Sequence, residues 1–240
     1  FVVPSTFNPR VASAGGLYGI IVATFVGLLL ISNIVAVKLI AVGPLIVDGG
    51  VFLFPLVYVI GDVLSEVYGI KGARRAILTA FALSALTSLT IWLVQISPAA
   101  PGWEQQESFE SVLGFVPRIV LASLGGFLAG QFVNTWVLVR LRDRMQGRGL
   151  WFRLISSTML GQLVDTIVFC TIAFFGVITG WDFFGYVALG YVIKCLAEVI
   201  LLPVTTRVIP WVVRKEAAYA AAGSASESER AIISRAASGE

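Results

Sequence analysis

Long apolar runs separated by short polar connections fill the chain from Gly16 to Val213. A helix that crosses a bilayer needs about 20 mostly apolar residues. Six segments reach or approach that length: Gly16–Ala41, Val51–Val67, Ala76–Ser97, Phe115–Val139, Phe152–Thr179 and Phe184–Val213. The pattern therefore predicts an all-α fold, a polytopic membrane bundle of six transmembrane helices. The second segment is short and ends in carboxylates, and the sixth carries Pro203 and Pro210, which predict a kink. Between the first two, Pro44–Gly50 ends in Asp48-Gly49-Gly50 and predicts a short, tight hairpin on the outer face. Residues 1–15 read as an N-terminal cytoplasmic segment and residues 16–215 as the transmembrane domain. Residues 216–240, rich in Ala, Ser, Glu and Arg, read as a mobile cytoplasmic tail.

Charge sets the orientation. Only 13% of the 240 residues are charged and 58% are hydrophobic, whereas a soluble domain carries roughly a quarter charged residues. The net charge of +3 is not spread as a nucleic-acid face. Lys71, Arg74 and Arg75 lie between spans two and three, and Arg140, Arg142, Arg144 and Arg148 between spans four and five. Arg207, Arg214 and Lys215 mark the end of span six. The other three connections hold no Lys or Arg, only acids such as Asp48, Glu104, Glu107, Glu110 and Asp182. By the positive-inside rule both termini are cytoplasmic, in a protein that crosses its membrane several times. Trp103 and Trp181 then fall at outer boundaries, Trp151 and Trp211 at inner ones.

Several chemistries are excluded. The chain has no histidine, so Ser–His dyads and His-based zinc sites are ruled out. It contains no phosphate-binding G-x-x-x-x-G-K-[ST] loop. Cys170 and Cys195 sit inside apolar runs as free thiols rather than metal ligands. No enzyme activity, metal, cofactor or direct nucleic-acid contact is expected; the expected partners are the lipid bilayer and a small molecule. Self-association into a homo-oligomer stays open.

Ionisable residues nevertheless interrupt the spans: Lys38, Arg118 and Lys194, with Asp62, Glu66, Asp165 and Glu198. A charge at the bilayer centre costs roughly 2.5–3.5 kcal/mol even on insertion-based scales, so these groups must face the bundle interior. Their spacing agrees. Phe54, Tyr58, Asp62 and Glu66 follow at four-residue intervals, as do Lys194 and Glu198. Gln162, Asp165, Thr166 and Phe169 share a face of span five. Arg118, Ala122, Gly126, Gly130 and Asn134 form a stripe on span four, its small middle allowing close helix approach. Asn33 adds polarity to span one. Read blandly, Lys194 and Glu198 neutralise each other, and Gln131 and Asn134 make interhelical hydrogen bonds. The whole set goes beyond that, since Lys38 and Arg118 lie toward the outer face, away from the midplane acids. A polar midplane site with polar groups on either side suits alternating access.

Two segments carry a resemblance: Ser32-Asn33-Ile34-Val35-Ala36-Val37-Lys38, and the stretch from Phe54-Pro55-Leu56-Val57-Tyr58 through Gly61-Asp62-Val63-Leu64-Ser65-Glu66-Val67-Tyr68-Gly69. Pro117-Arg118-Ile119, Gly161-Gln162-Leu163-Val164-Asp165-Thr166 and Lys194-Cys195-Leu196-Ala197-Glu198 extend it. In these the chain resembles the queuosine precursor transporter family, also called the vitamin uptake transporter group, from about Asn33 to Pro203. The resemblance implies a multi-pass importer of the bacterial inner membrane for 7-cyano-7-deazaguanine and/or 7-aminomethyl-7-deazaguanine. Such a base offers N1–H and a 2-amino group side by side, which one carboxylate accepts together. Its O6 requires a donor from Asn, Gln, Lys or Arg, and its flat ring an aromatic face such as Phe54, Tyr58 or Phe169.

The expected site is therefore Asp165, Asp62, Gln162, Glu198, Lys194, Asn33, Tyr58, Phe54, Phe169, Glu66, Arg118 and Asn134. Asp165 and Asp62 lead as the recognising carboxylate, because Lys194 one turn away answers part of the charge of Glu198. Asp165 stands slightly ahead, with Gln162 beside it to reach O6. Glu66 and Arg118 are expected nearer the inner and outer gates. Two other functional readings remain: a substrate-binding membrane subunit driven by a separate ATPase, and a membrane scaffold that transports nothing.

Overall fold

A computed structural model describes residues 16–144 and 150–238. The N-terminal segment 1–15, Arg148 of the basic connection and the last two residues lie outside the described residues. The elements run α1 (Tyr18–Val35), β1 (Leu39–Val42), β2 (Leu45–Asp48), a 3₁₀ turn (Gly49–Phe52), α2 (Phe54–Ile96), α3 (Gln106–Leu113), α4 (Val116–Arg144), α5 (Leu150–Phe174) and α6 (Trp181–Ser238). Among the described residues, five helical stretches are long and apolar enough to cross a membrane: Tyr18–Val35, Phe54–Ile96, Gln106–Leu141, Ile155–Phe174 and Trp181–Tyr219. The protein is a multi-pass membrane protein, mostly helical.

The count differs from six because the second and third predicted spans lie within one 43-residue element, α2. A straight helix of that length would run ~64 Å, about twice the ~30 Å hydrocarbon core. It is not straight. Gly69 takes φ 68°, ψ 179°, a left-handed conformation suited to glycine, and divides α2 into two arms.

The first predicted span also ends early. α1 stops at Val35, where the Ala36 N–H bonds back to the Ser32 carbonyl. The chain then pairs Leu39 with Asp48, Ile40 with Val47, Ala41 with Ile46 and Val42 with Leu45 in an antiparallel hairpin. Its branched residues suit a strand. The turn falls at Gly43–Pro44 rather than at Asp48–Gly50. Gly43 has φ 61°, which the first position of a two-residue hairpin turn requires. Asp48-Gly49-Gly50 instead opens the 3₁₀ turn, the Asp48 side chain accepting from the Gly50 N–H.

At the far end, α6 does not stop near Val213 but runs on to Ser238. Glu216, expected at the start of a tail, is only 2% exposed. It accepts hydrogen bonds from the Leu17 N–H (2.7 Å) and the Tyr68 hydroxyl (2.6 Å).

Two apolar clusters hold the bundle. One joins α1, α2 and α6 through Phe25, Val63, Leu64, Ala76, Ala80 and Val212. The other joins Ala36, α4, α5 and the start of α6 through Ile119, Ala122, Cys170, Phe174 and Tyr186, with Leu39 and Ile46 of the hairpin against it. α4 and α5 form the tightest seam. A Cβ at Gly126 would lie 2.8 Å from the Asp165 carbonyl oxygen, and one at Gly130 2.8 Å from the Gly161 carbonyl oxygen. A Cβ at Gly161 would lie 2.8 Å from that of Asn134. The small middle of the span-four stripe thus lets the helices touch backbone to backbone, as its spacing predicts.

Candidate functional site

A cavity of about 440 Å³ opens between these clusters. α1 contributes Asn33, α2 contributes Phe54, Tyr58 and Asp62, and α4 contributes Asn134. Gln162, Asp165 and Phe169 come from α5, and Lys194 and Glu198 from α6. The structure thus gathers most of the sequence-predicted residues around one space, because each four-residue stripe turns the same helical face inward.

Glu66 and Arg118 are the exceptions, and neither lines the cavity. Glu66 is exposed on α2. Arg118 Nε donates to the Ile172 carbonyl (2.7 Å) and Nη2 to the Phe175 carbonyl (2.6 Å), with the guanidinium 5.5 Å from the Phe115 ring. These carbonyls lie in the last turn of α5 and just past its end, where backbone acceptors lack helical partners. Arg118 therefore fastens α4 to the end of α5.

Pairing inside the cavity also departs from expectation. Lys194 does not answer Glu198 along its own helix. Its Nζ reaches across to Asp165 Oδ2 at 2.5 Å, lying 5.8 Å from the Phe169 ring centre. Glu198 Oε2 instead accepts from the Gln162 amide at 2.5 Å, and the Cys195 thiol contacts the other end of that amide at 3.6 Å. The reason is rotational. The four-residue rule speaks only of one helix surface, whereas α5 and α6 face each other here and offer a shorter cross-helix contact. Asp165, the leading carboxylate from sequence, is the one neutralised. Asp62 has no cation partner among the described residues, and Glu198 has a neutral one.

Sequence reasoning passed over three cavity groups. Asp48 was placed in an outer loop, yet it lines the cavity; its Oδ2 accepts from the Tyr186 hydroxyl at 2.7 Å. Tyr186 lines it too. On α4, Ser123 also lines the cavity and donates to Asn33 Oδ1 at 2.9 Å. The signal for Asp48 is the branched run Leu45-Ile46-Val47 before it, which marks strand rather than open loop. Two buried amide atoms in the wall have no partner among the described residues, Asn33 Nδ2 and Asn134 Oδ1. An unpaired buried polar atom costs about 1–3 kcal/mol, and a ligand that pairs with it recovers that cost.

These features define the class: a multi-pass membrane protein with a polar, aromatic-walled cavity inside its helix bundle. Residues 48–208 match the family model described as "Putative vitamin uptake transporter". The chain belongs to this family, whose members are transporters and not enzymes. It is 30% identical over 174 residues, 72% of this chain and 76% of the relative, to a Bacillus subtilis protein named probable queuosine precursor transporter. It is 31% identical over 125 residues to an Escherichia coli protein named queuosine precursor transporter, covering 52% of this chain and 54% of that one. A Haemophilus influenzae protein named probable queuosine precursor transporter is 29% identical over 126 residues, 52% of this chain and 51% of the relative. No solved structure matches the chain.

Proposed function

We propose that this protein imports queuosine precursors, 7-cyano-7-deazaguanine and/or 7-aminomethyl-7-deazaguanine, across a bacterial inner membrane by alternating access. The names of its relatives support the substrate class. In this reading the two arms of α2 cross separately, which makes six crossings with both termini cytoplasmic and the hairpin outside. The alternation of basic and acidic connections supports that orientation.

The cavity's composition carries the reading. It sets aromatic rings at Phe54, Tyr58 and Phe169 beside a carboxylate, Asp62, that no cation answers among the described residues. A flat base with two adjacent donors needs that combination. The Asp165–Lys194 pair shifts the recognising role to Asp62, on the same α2 face as Tyr58 and Phe54.

Asp62→Asn turns an acceptor toward the ligand into a donor. Affinity of the purified protein for 7-cyano-7-deazaguanine should fall tenfold to more than a hundredfold, equivalent to about 1–3 kcal/mol. Calorimetry measures it. Wild-type affinity in Asp62→Asn would move the role to Glu198. Uptake by the chain alone into ATP-free vesicles separates this importer from an ATPase-driven subunit; no uptake without an added ATPase would sink the self-sufficient mechanism.

A further inference from the structure

We infer that Asn33, positioned by Ser123, reads the 6-position of the base by donating a hydrogen bond to its carbonyl oxygen. The inference rests on the deazaguanine reading above and assigns one contact within it.

The base's O6 needs a donor, and the donors around the cavity differ in how they are already committed. Gln162 Nε2 gives one of its two N–H groups to Glu198 and Lys194 Nζ one of its three to Asp165, so each is already oriented by a carboxylate. Arg118 lies outside the cavity wall and gives its N–H groups to the Ile172 and Phe175 carbonyls. Asn33 is different. It is 5% exposed and lines the cavity, and its Nδ2 finds no acceptor among the described residues. Its Oδ1 is occupied by the Ser123 hydroxyl at 2.9 Å. In this arrangement the amide shows its donor edge, not its acceptor edge, as the unmatched group.

Asn33 sits on α1 and Ser123 on α4, so the amide is held from a second helix. Asp62, on α2, stands apart from both and is free to take N1–H and the 2-amino group. The two ends of the lactam would then be read by different helices. Ser123 touches Asn33 and not the base; it is a positioning residue.

The test compares 7-cyano-7-deazaguanine with its 6-thio analogue. The analogue keeps N1–H and the 2-amino group but replaces a strong acceptor with a weak one. Wild-type protein should prefer the oxo ligand by about tenfold or more. Asn33→Ala should bring the ratio near one. Ser123→Ala should lower it, and Ser123→Thr, which keeps the hydroxyl, should restore it. Asp62→Asn should weaken both ligands and keep the ratio. If Asn33→Ala does not fold, Ser123→Ala carries the comparison. A ratio unchanged in these variants, or near one in the wild type, overturns the inference and leaves the deazaguanine reading standing. Binding of neither ligand by the wild type overturns both.

Discussion

The residues just before α1 and the hairpin that follows it are fastened by the same chemistry in two different settings. At one end, Asp48 accepts from a backbone N–H, Gly50 (2.8 Å), and from a tyrosine hydroxyl, Tyr186 (2.7 Å). At the other, Glu216 accepts from the Leu17 N–H (2.7 Å) and the Tyr68 hydroxyl (2.6 Å). Each carboxylate ties the α1 region to another part of the fold, the hairpin end to α6 and the Leu17 end to both α2 and α6. What differs is what else they touch. Glu216 is sealed, packed against Gly16 beside the Tyr18–Tyr68 ring pair and absent from the cavity wall. Asp48 is half-buried and lines the cavity. One latch is purely architectural; the other is within reach of a ligand.

The largest effect should come from the sealed end. Glu216→Ala strands both the Leu17 N–H and the Tyr68 hydroxyl in a buried site, at about 1–3 kcal/mol for each group. Thermal unfolding in detergent should show a marked loss of stability. In whatever fraction stays folded, ligand affinity should be unchanged. A selective loss of binding with normal stability would break the distinction between the latches.

Asp48→Asn should behave the other way. It keeps one acceptor oxygen, so stability should drop by only about 1 kcal/mol. Because the side chain lines the cavity, affinity for the transported base should change as well. Unfolding and binding measured on the same preparation check both halves. Unchanged binding would make Asp48 as architectural as Glu216.

The smallest expected effect is the difference between two variants that each remove one hydroxyl from a latch. Tyr68→Phe and Tyr186→Phe each delete one hydrogen bond to a charged acceptor, about 1.5–3 kcal/mol when buried. The Tyr68 change should cost more stability, since its partner is fully enclosed. Equal losses would show that enclosure does not set the strength of these contacts.

The sequence carried the stripes and missed the junctions, for a physical reason. Phe54, Tyr58 and Asp62 reach one face because helical periodicity is local, and the Gly126–Gly130 seam follows from the same spacing. The Asp165–Lys194 pair depends on how α5 and α6 rotate against each other, and nothing within either helix specifies that rotation. Leu39–Asp48 was hidden because its apolar run continues that of α1, and only the Gly43–Pro44 turn shows where helix gives way to strand. Glu216 was lost in a stretch whose composition reads as tail. Its partners lie almost the whole chain away at Leu17 and at Tyr68. The polar residues between Val67 and Ala76 mark an interruption of the apolar run, but residue type alone does not say whether the helix stops there or bends, as it does at Gly69.

The pairing of Asp165 with Lys194 also bears on biosynthesis. The two residues sit on successive helices, 29 positions apart. During translation α5 leaves the ribosome first, carrying a carboxylate whose counter-charge has not yet been made. Alone in lipid, that group opposes partition by roughly 2.5–3.5 kcal/mol. Once α6 follows, the ammonium neutralises it, and the charge penalty on both helices is relieved. The salt bridge that shapes the cavity thus also lowers the cost of placing α5 and α6 in the bilayer as a pair.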